Sequence, residues 1–154
     1  MNRRRRTLAA AAVAASLWLL TACSDSGPLA APEILLGRDT CTVCGMAVSD
    51  GRYAAAVVVR HQGRDQTLLL DDIGELPAVT IPPHDQVALF VRDESTQRWL
   101  VAEAAHYVRS EALRTPMGFG VAALATPEQA EARRAEIDGE LLAFDALRPP
   151  ALDE

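Results

Sequence analysis

The sequence predicts an α+β fold, a single domain built from two related halves. A hairpin pattern of two apolar runs joined by turn residues occurs before residue 77 and again after residue 85, and a short helical segment follows each hairpin. Apolar residues make up 49% of the chain but aromatic residues only 5%, so Ala, Val and Leu must form most of the core. The length suits one compact domain.

The first half is predicted from alternating strand and turn signals. A strand over Tyr53–Val59, apolar and β-branched at its end, is followed by a turn at residues 61–64 and a second strand over Thr67–Leu70. The run Asp71-Asp72-Ile73-Gly74 then places an aspartate where it could cap a short helical turn. The Pro-rich segment 77–85 is predicted to separate the two halves.

The second half is predicted to repeat this order. Its predicted elements are a strand over Val87–Arg92, a turn over 93–97, a strand over Trp99–Ala102, a helical segment over Ala104–Val108 and a strand over Phe119–Leu124. Trp99 is predicted to be a core anchor, because its ring is the largest apolar group in this half.

A capped helix and a closing strand complete the predicted domain. Thr126-Pro127-Glu128-Gln129 has an N-cap threonine, a proline in the first turn and a glutamine at the capping-box position. The helix is predicted to end near Asp138, before Gly139, and Glu140–Phe144 to form the last strand. Charged residues surround most of this helix, and Ala130 and Ile137 are its predicted buried positions.

The N-terminus has the pattern of a bacterial lipoprotein signal. A basic run precedes the apolar stretch Leu8–Leu20, which is short for a spanning helix. Leu20-Thr21-Ala22-Cys23 matches a lipobox, so residues 1–22 are predicted to be removed and Cys23 to carry acyl chains. The alternative is an ordinary signal with an incidental cysteine.

Three further segments are predicted after the signal peptide. Residues 23–36 are predicted to be the lipidated cysteine and a flexible Pro/Ala-rich tether, 37–148 the folded domain and 149–154 a C-terminal tail. Because Ser24 rather than aspartate follows Cys23, the bacterial sorting pattern favours the outer membrane, with the domain in the periplasm. Removing residues 1–22 removes four arginines and no acid, which changes the formal charge from −6 to −10. Such an acidic chain argues against a nucleic-acid partner.

The candidate chemistry lies in Cys41-Thr42-Val43-Cys44-Gly45-Met46. Two thiols and a thioether within six residues are soft ligands of the kind that bind Cu(I). Met117, in a loop constrained by one proline and two glycines, is a second thioether candidate. His106 could supply an imidazole, and the Asp71–Asp72 pair could support the site, contact a partner or simply form a solvated turn.

Other interpretations of the cysteine pair remain open at this point. Cys-x-x-Cys-Gly also has the form of a zinc knuckle, which His61, His84 or His106 could complete. A thiol–disulfide motif is a second alternative, although Thr42-Val43 between the sulfurs and the following strand are unusual for it. A disulfide closing so short a loop would gain little stability.

Five motifs occur in the order found in the NosL family, which the chain resembles over nearly all of its predicted mature length. They are the lipobox, Cys41-x-x-Cys44-Gly45-Met46, Asp71-Asp72-Ile73-Gly74, Thr115-Pro116-Met117-Gly118 and residues 139–145. The resemblance implies a lipoprotein copper chaperone with two ββα-type halves related in fold to organomercurial lyase. Cys41, Cys44, Met46 and Met117 match the family motifs, whereas Leu70 stands where an aromatic residue is usual.

The resemblance also implies a function. It implies Cu(I) binding and delivery to the copper centres of nitrous oxide reductase through a membrane maturation complex. We expect metal transfer by ligand exchange without catalysis, and we expect Met117 to lie close enough to Cys41, Cys44 and Met46 to share one ion. Two competing hypotheses remain. One is an enzyme, either a thiol oxidoreductase or, by fold analogy, a metal–carbon lyase. The other is a binding module whose fold is held by a structural zinc.

Overall fold

Two antiparallel sheets form the framework of the computed structural model, which describes residues 27–150. The first sheet has the strand order β2-β1-β3-β4. Its strands are β1 (Ala55–His61), β2 (Arg64–Leu70), β3 (Gln86–Arg92) and β4 (Trp99–Val101). A 3₁₀ helix over Ile73–Ala78 connects β2 to β3.

The second sheet has three strands and is covered by helix α1. Its order is β6-β5-β7. The elements are β5 (His106–Arg109), β6 (Val121–Leu124), α1 (Pro127–Glu136) and β7 (Glu140–Leu142), and a 3₁₀ helix over Phe144–Leu147 follows. The α+β fold class predicted from the sequence is confirmed.

Both sheets contain the same unit, but the second copy begins later than predicted. In each, a hairpin is followed by a helical crossover to a strand that pairs on the other side of the first strand. The prediction that the second half starts at Val87 is wrong, because β3 pairs with β1 from Ala55↔Val91 to Arg60↔Gln86 and so completes the first unit. The second unit begins at His106, and β4 extends the first sheet.

The main core lies between the two sheets. Alternate residues of β1 point into it, as the period of two along a strand requires. Ala55, Val57 and Val59 are buried there against Tyr107 and Val121 of the second sheet. A backbone pairing between Asp93 and Ala123 further joins the sheets.

The outer face of each sheet has its own cover. Helix α1 covers the second sheet, where Ala130 is buried and Ile137 packs beside it, as predicted. Residues 27–32, which we call the N-terminal strap, cover the first sheet: Leu29 and Ala31 pack against a cluster that includes Phe90. This packing differs from the free tether predicted for these residues.

Trp99 belongs to this outer cluster rather than to the main core. It is half-buried, packs edge-on against Phe90, and donates a hydrogen bond from Nε1 to the carbonyl of Pro32 at 2.6 Å. The prediction of a core anchor is therefore corrected to an anchor of the strap.

In the described part of the chain, no helix is both long and apolar enough to cross a membrane; the predicted signal lies outside that part.

Local sequence signals for helix starts are confirmed, whereas one helical prediction is wrong. Asp72 and Thr126 are N-caps, and each forms a complete capping box. The predicted helical segment Ala104–Val108 is instead a short 3₁₀ turn over Ala102–Ala104 followed by β5. These residues form a strand because β6 and β7 pair with β5 on its two sides.

Candidate metal site

A tight loop presents the two cysteine sulfurs. The Cys41 N–H donates to the Met46 carbonyl at 2.7 Å, and the Gly45 N–H donates to the Cys41 carbonyl at 3.0 Å. Gly45 has φ +75°, a left-handed conformation that glycine adopts without steric cost. The Thr42 N–H donates to Leu69 at 2.7 Å, which fixes the loop to the end of β2.

Three donor atoms converge beside this loop. The sulfurs of Cys41 and Cys44 and a carboxylate oxygen of Glu75 all lie within 4.8 Å of one another. Cys41 is 1% exposed and Glu75 is buried, whereas Cys44 is half-buried. The Cys41 thiol donates to Glu75 Oε2 at 3.1 Å, and both cysteines are free thiols. The cluster thus has a buried end and an accessible end.

The accessible thiol is held in its protonated form. Burial is the main cause that raises the pKa of Cys44 from 9.0 to about 11, and hydrogen bonds with Cys41 and Glu75 act in the same direction. A hydrogen bond from the Met46 backbone opposes them. A metal that binds Cys44 near neutral pH must therefore displace a proton.

Sequence analysis missed Glu75. It is the N3 residue of the capping box that Asp72 begins, and its Oε2 also accepts the backbone N–H groups of Asp71 and Asp72 at 3.1 and 3.2 Å. The Asp-x-x-Glu spacing identifies this local role. The contact with Cys41 spans 34 residues of sequence, and no local signal predicts it.

The Asp71–Asp72 pair is buried and ties two loops to the site. Asp71 Oδ1 accepts the backbone N–H of Ser49 at 2.7 Å. Asp72 Oδ2 accepts the Thr115 hydroxyl at 2.6 Å and the Met117 N–H at 3.1 Å. Both side chains face inward, so the geometry favours a supporting role over a solvated turn or a partner contact.

The two candidate methionines are exposed at the surface. Met46 is 49% exposed and Met117 is 36% exposed. The Met117 loop reaches the cysteine site through Asp72, and next to it Phe119 packs directly on Gly74. The structure therefore brings the Met117 loop to the same 3₁₀ turn that holds Glu75 against Cys41.

The histidines lie apart from the described cluster of cysteines and Glu75. His106 begins β5 opposite Leu124. His84 interacts with the Pro82 carbonyl, and His61 lies 3.9 Å from Asp85. Within residues 27–150, the cluster contains none of the histidines that a zinc knuckle would recruit. The lipidation candidate Cys23 lies outside the described residues.

Comparisons with known proteins found a family model and a solved structure that match this chain. The NosL family model matches residues 32–152. The crystal structure of the copper chaperone NosL from Shewanella denitrificans is similar in fold, with a TM-score of 0.61 and 20% sequence identity. The similarity covers 77% of this chain and 96% of that chain. A search of curated proteins found no match.

Proposed function

This chain belongs to the NosL family, and we propose that it carries Cu(I) on Cys41 and Cys44 and passes the ion to a copper enzyme. One observation carries the proposal: the structure places both sulfurs within 4.8 Å of each other, at a loop bordered by Met46. Thiolate and thioether sulfur are the ligands that Cu(I) prefers. The copper chaperone NosL from Shewanella denitrificans, which shares the fold, supports this cargo.

The different exposure of the donors suits transfer by ligand exchange. Cys41 is buried, so it retains the ion while other bonds change. Cys44 is half-buried and the thioethers of Met46 and Met117 are exposed, so ligands of a receiving protein can replace them one at a time. The thioethers are neutral, which stabilises Cu(I) without adding the negative charge of a further thiolate.

The proposed location and client follow from the N-terminus and the family. We propose a lipid anchor on Cys23, the periplasmic face of a bacterial membrane, with the outer membrane favoured, and nitrous oxide reductase with its membrane maturation complex as the recipient. The lipobox supports this environment. Labelled palmitate should enter the parent protein but not Cys23→Ser.

Loss of the gene should lower the copper content of the reductase, and normal copper content would exclude this client.

Competition with a Cu(I) chelator tests the binding site. Cys41→Ser/Cys44→Ser should lose at least about 100-fold in Cu(I) affinity, because hydroxyls are poor ligands for a soft ion. His61→Ala, which changes a ligand-type side chain outside the cluster, is the matched control and should bind like the parent. Equal binding by the double serine variant and the parent would refute the assignment.

A structural zinc is the one competing assignment that a specific observation favours. Glu75 offers an oxygen, which Zn²⁺ accepts together with thiolates and Cu(I) does not favour. Metal analysis of protein isolated from the periplasm distinguishes the two, since a structural zinc should persist and its removal should unfold the domain.

The thiol oxidoreductase hypothesis is weakened by the raised pKa of Cys44, because disulfide exchange needs an accessible thiolate.

A further inference from the structure

We propose that Asp72 is a positioning residue of the copper site, whose buried carboxylate fixes the Met117 loop beside the Cys41–Cys44 pair. This inference rests on the proposed copper-binding function and extends it. It concerns how Met117 reaches the site, since its position in the sequence lies 73 residues beyond Cys44.

The two oxygens of Asp72 perform separate tasks. Oδ1 accepts the Gly74 N–H at 3.0 Å and so caps the 3₁₀ helix. Oδ2 accepts the Thr115 hydroxyl at 2.6 Å and the Met117 N–H at 3.1 Å. A cap alone needs one oxygen, and a fully buried carboxylate is costly unless its remaining hydrogen-bonding capacity is used. The second oxygen uses that capacity on the Met117 loop.

The same turn contacts the buried cysteine. The Asp72 N–H donates to Glu75 Oε2 at 3.2 Å, and the same oxygen accepts the Cys41 thiol at 3.1 Å. Hydrogen bonds therefore run without a break from the Met117 backbone through Asp72 and Glu75 to the Cys41 sulfur. A change at Asp72 removes the hydrogen bonds between the loop and the element that also holds the thiol.

The Met117 loop gains order from such an attachment because it is long and contains no helix or strand. Gly118 and Gly120 have φ of +76° and +66°, and the loop between β5 and β6 spans 11 residues, from Ser110 to Gly120. Ordering a loop to bind an ion costs conformational entropy, and a loop ordered beforehand avoids that cost. We therefore expect the contribution of Met117 to copper affinity to depend on Asp72.

A double-mutant cycle on Cu(I) affinity tests this dependence. Asp72→Asn retains one oxygen for the cap but replaces the other by an NH₂ group, which cannot accept from Thr115 or Met117. Asp72→Asn and Met117→Leu should each lower the affinity about 10-fold, the scale seen for groups that orient metal ligands, and the double variant should lose no more than about 10-fold. Asp71→Asn is the matched control: it changes the neighbouring buried carboxylate, which binds Ser49, and its effect should add to that of Met117→Leu.

Methionine methyl NMR supplies a second readout that a general loss of stability would not reproduce. Two methionines, Met46 and Met117, remain after the predicted loss of Met1, and Met→Leu variants assign their signals. On Cu(I) loading both signals should shift in the parent, whereas in Asp72→Asn the Met46 signal should shift and the Met117 signal should not.

The possible outcomes separate the two proposals. Failure of the parent to bind Cu(I) refutes the proposed function, whereas additive losses with a normal Met117 shift in Asp72→Asn refute the positioning role alone. If Asp72→Asn does not fold, Thr115→Val keeps the side-chain shape and removes one of the two loop bonds to Asp72, together with the bond that the Thr115 hydroxyl accepts from the Gly120 N–H within the loop. It should then show the same non-additivity with Met117→Leu, and additivity would again overturn the inference.

Discussion

At the residue scale, Glu75 brings an oxygen donor to a site whose predicted donors were all sulfur or imidazole. Its Oε2 lies 3.1 Å from the Cys41 sulfur and also accepts two backbone N–H groups. Those backbone contacts hold the carboxylate in one orientation before any metal arrives. The residue can therefore influence which metal binds as well as how Cys41 is held.

Glu75→Gln should change metal selectivity. We expect Zn²⁺ affinity to fall about 10- to 100-fold and Cu(I) affinity to fall much less, because the amide is a poorer ligand for Zn²⁺ and Cu(I) depends on sulfur. Parallel competition titrations with both ions measure the difference. Glu103→Gln, at an exposed position, is the control. Equal losses for both ions would mean that Glu75 acts only by holding Cys41.

The raised pKa of Cys44 predicts its reactivity with pH. Only the thiolate is alkylated, so the rate for the folded apoprotein should keep rising above pH 9 toward a midpoint near 11. In urea the midpoint should return to about 9.0. Because the folded pKa is the higher one, the stability that this group contributes is complete below pH 9 and is lost as the pH rises to 11. Mass spectrometry of timed alkylation gives both midpoints, and identical midpoints would contradict the burial effect.

At the residue level, a local motif was enough to predict that the two cysteines lie together, and their role as metal ligands stays a prediction. Cys41 and Cys44 lie together because a two-residue spacing and Gly45 suffice to form the loop. Glu75 was missed because only the packing of the 3₁₀ turn against the cysteine loop brings it there. The predicted sharing of one ion by Met46 and Met117 stays a prediction, supported by the position of the Met117 loop.

At the element scale, the contact between Gly74 and Phe119 fastens the 3₁₀ helix to the Met117 loop. A Cβ at position 74 would overlap the Phe119 side chain. Gly74→Ala should therefore lower the free energy of unfolding by about 1–3 kcal/mol and displace the loop, with a loss of Cu(I) affinity. Urea unfolding and chelator competition measure the two effects.

Gly63→Ala is the control for this substitution. It lies in the β1–β2 turn with φ +74° and no atom near its Cβ position, so it costs backbone strain without touching the site. We expect it to reduce stability while leaving Cu(I) affinity unchanged. If Gly74→Ala behaves in the same way, the contact with Phe119 does not position the Met117 loop.

Secondary structure was likewise predictable where it depends on neighbouring residues and was mistaken where it depends on long-range pairing. The capping boxes at Asp72 and Thr126 were predictable because their partners are three residues away. The strand β5 was mistaken for a helix because its four residues are too few for a clear period, and its partners come from β6 and β7. The repeat boundary was misplaced for a similar reason: the pairing of β3 with β1 is a long-range choice between possible hairpins.

At the scale of the whole molecule, the fold is a stack in which the N-terminal strap is the outermost layer on one side. Arg60 donates to the Gly27 carbonyl at 2.7 Å at one end of the strap, and Trp99 donates to Pro32 at the other. If Cys23 carries the proposed lipid, three residues lie between it and Gly27, and the four residue steps span at most about 14 Å. The strap would then keep the domain near the membrane rather than on a long tether.

Replacing residues 28–32 by a Gly/Ser run of equal length tests the strap without shortening it. The change removes Leu29 and Ala31 from the cluster around Phe90, and we expect the free energy of unfolding to fall by about 1–2 kcal/mol. Trp99 is the single tryptophan left after the predicted loss of Trp18, so its fluorescence reports on this face directly. Its emission should move to longer wavelength as water reaches the ring. Pro28→Ser, at an exposed strap position, should change neither quantity. Unchanged stability and emission in the Gly/Ser variant would show that the strap does not pack stably on the sheet. The domain would then be free to move away from the membrane.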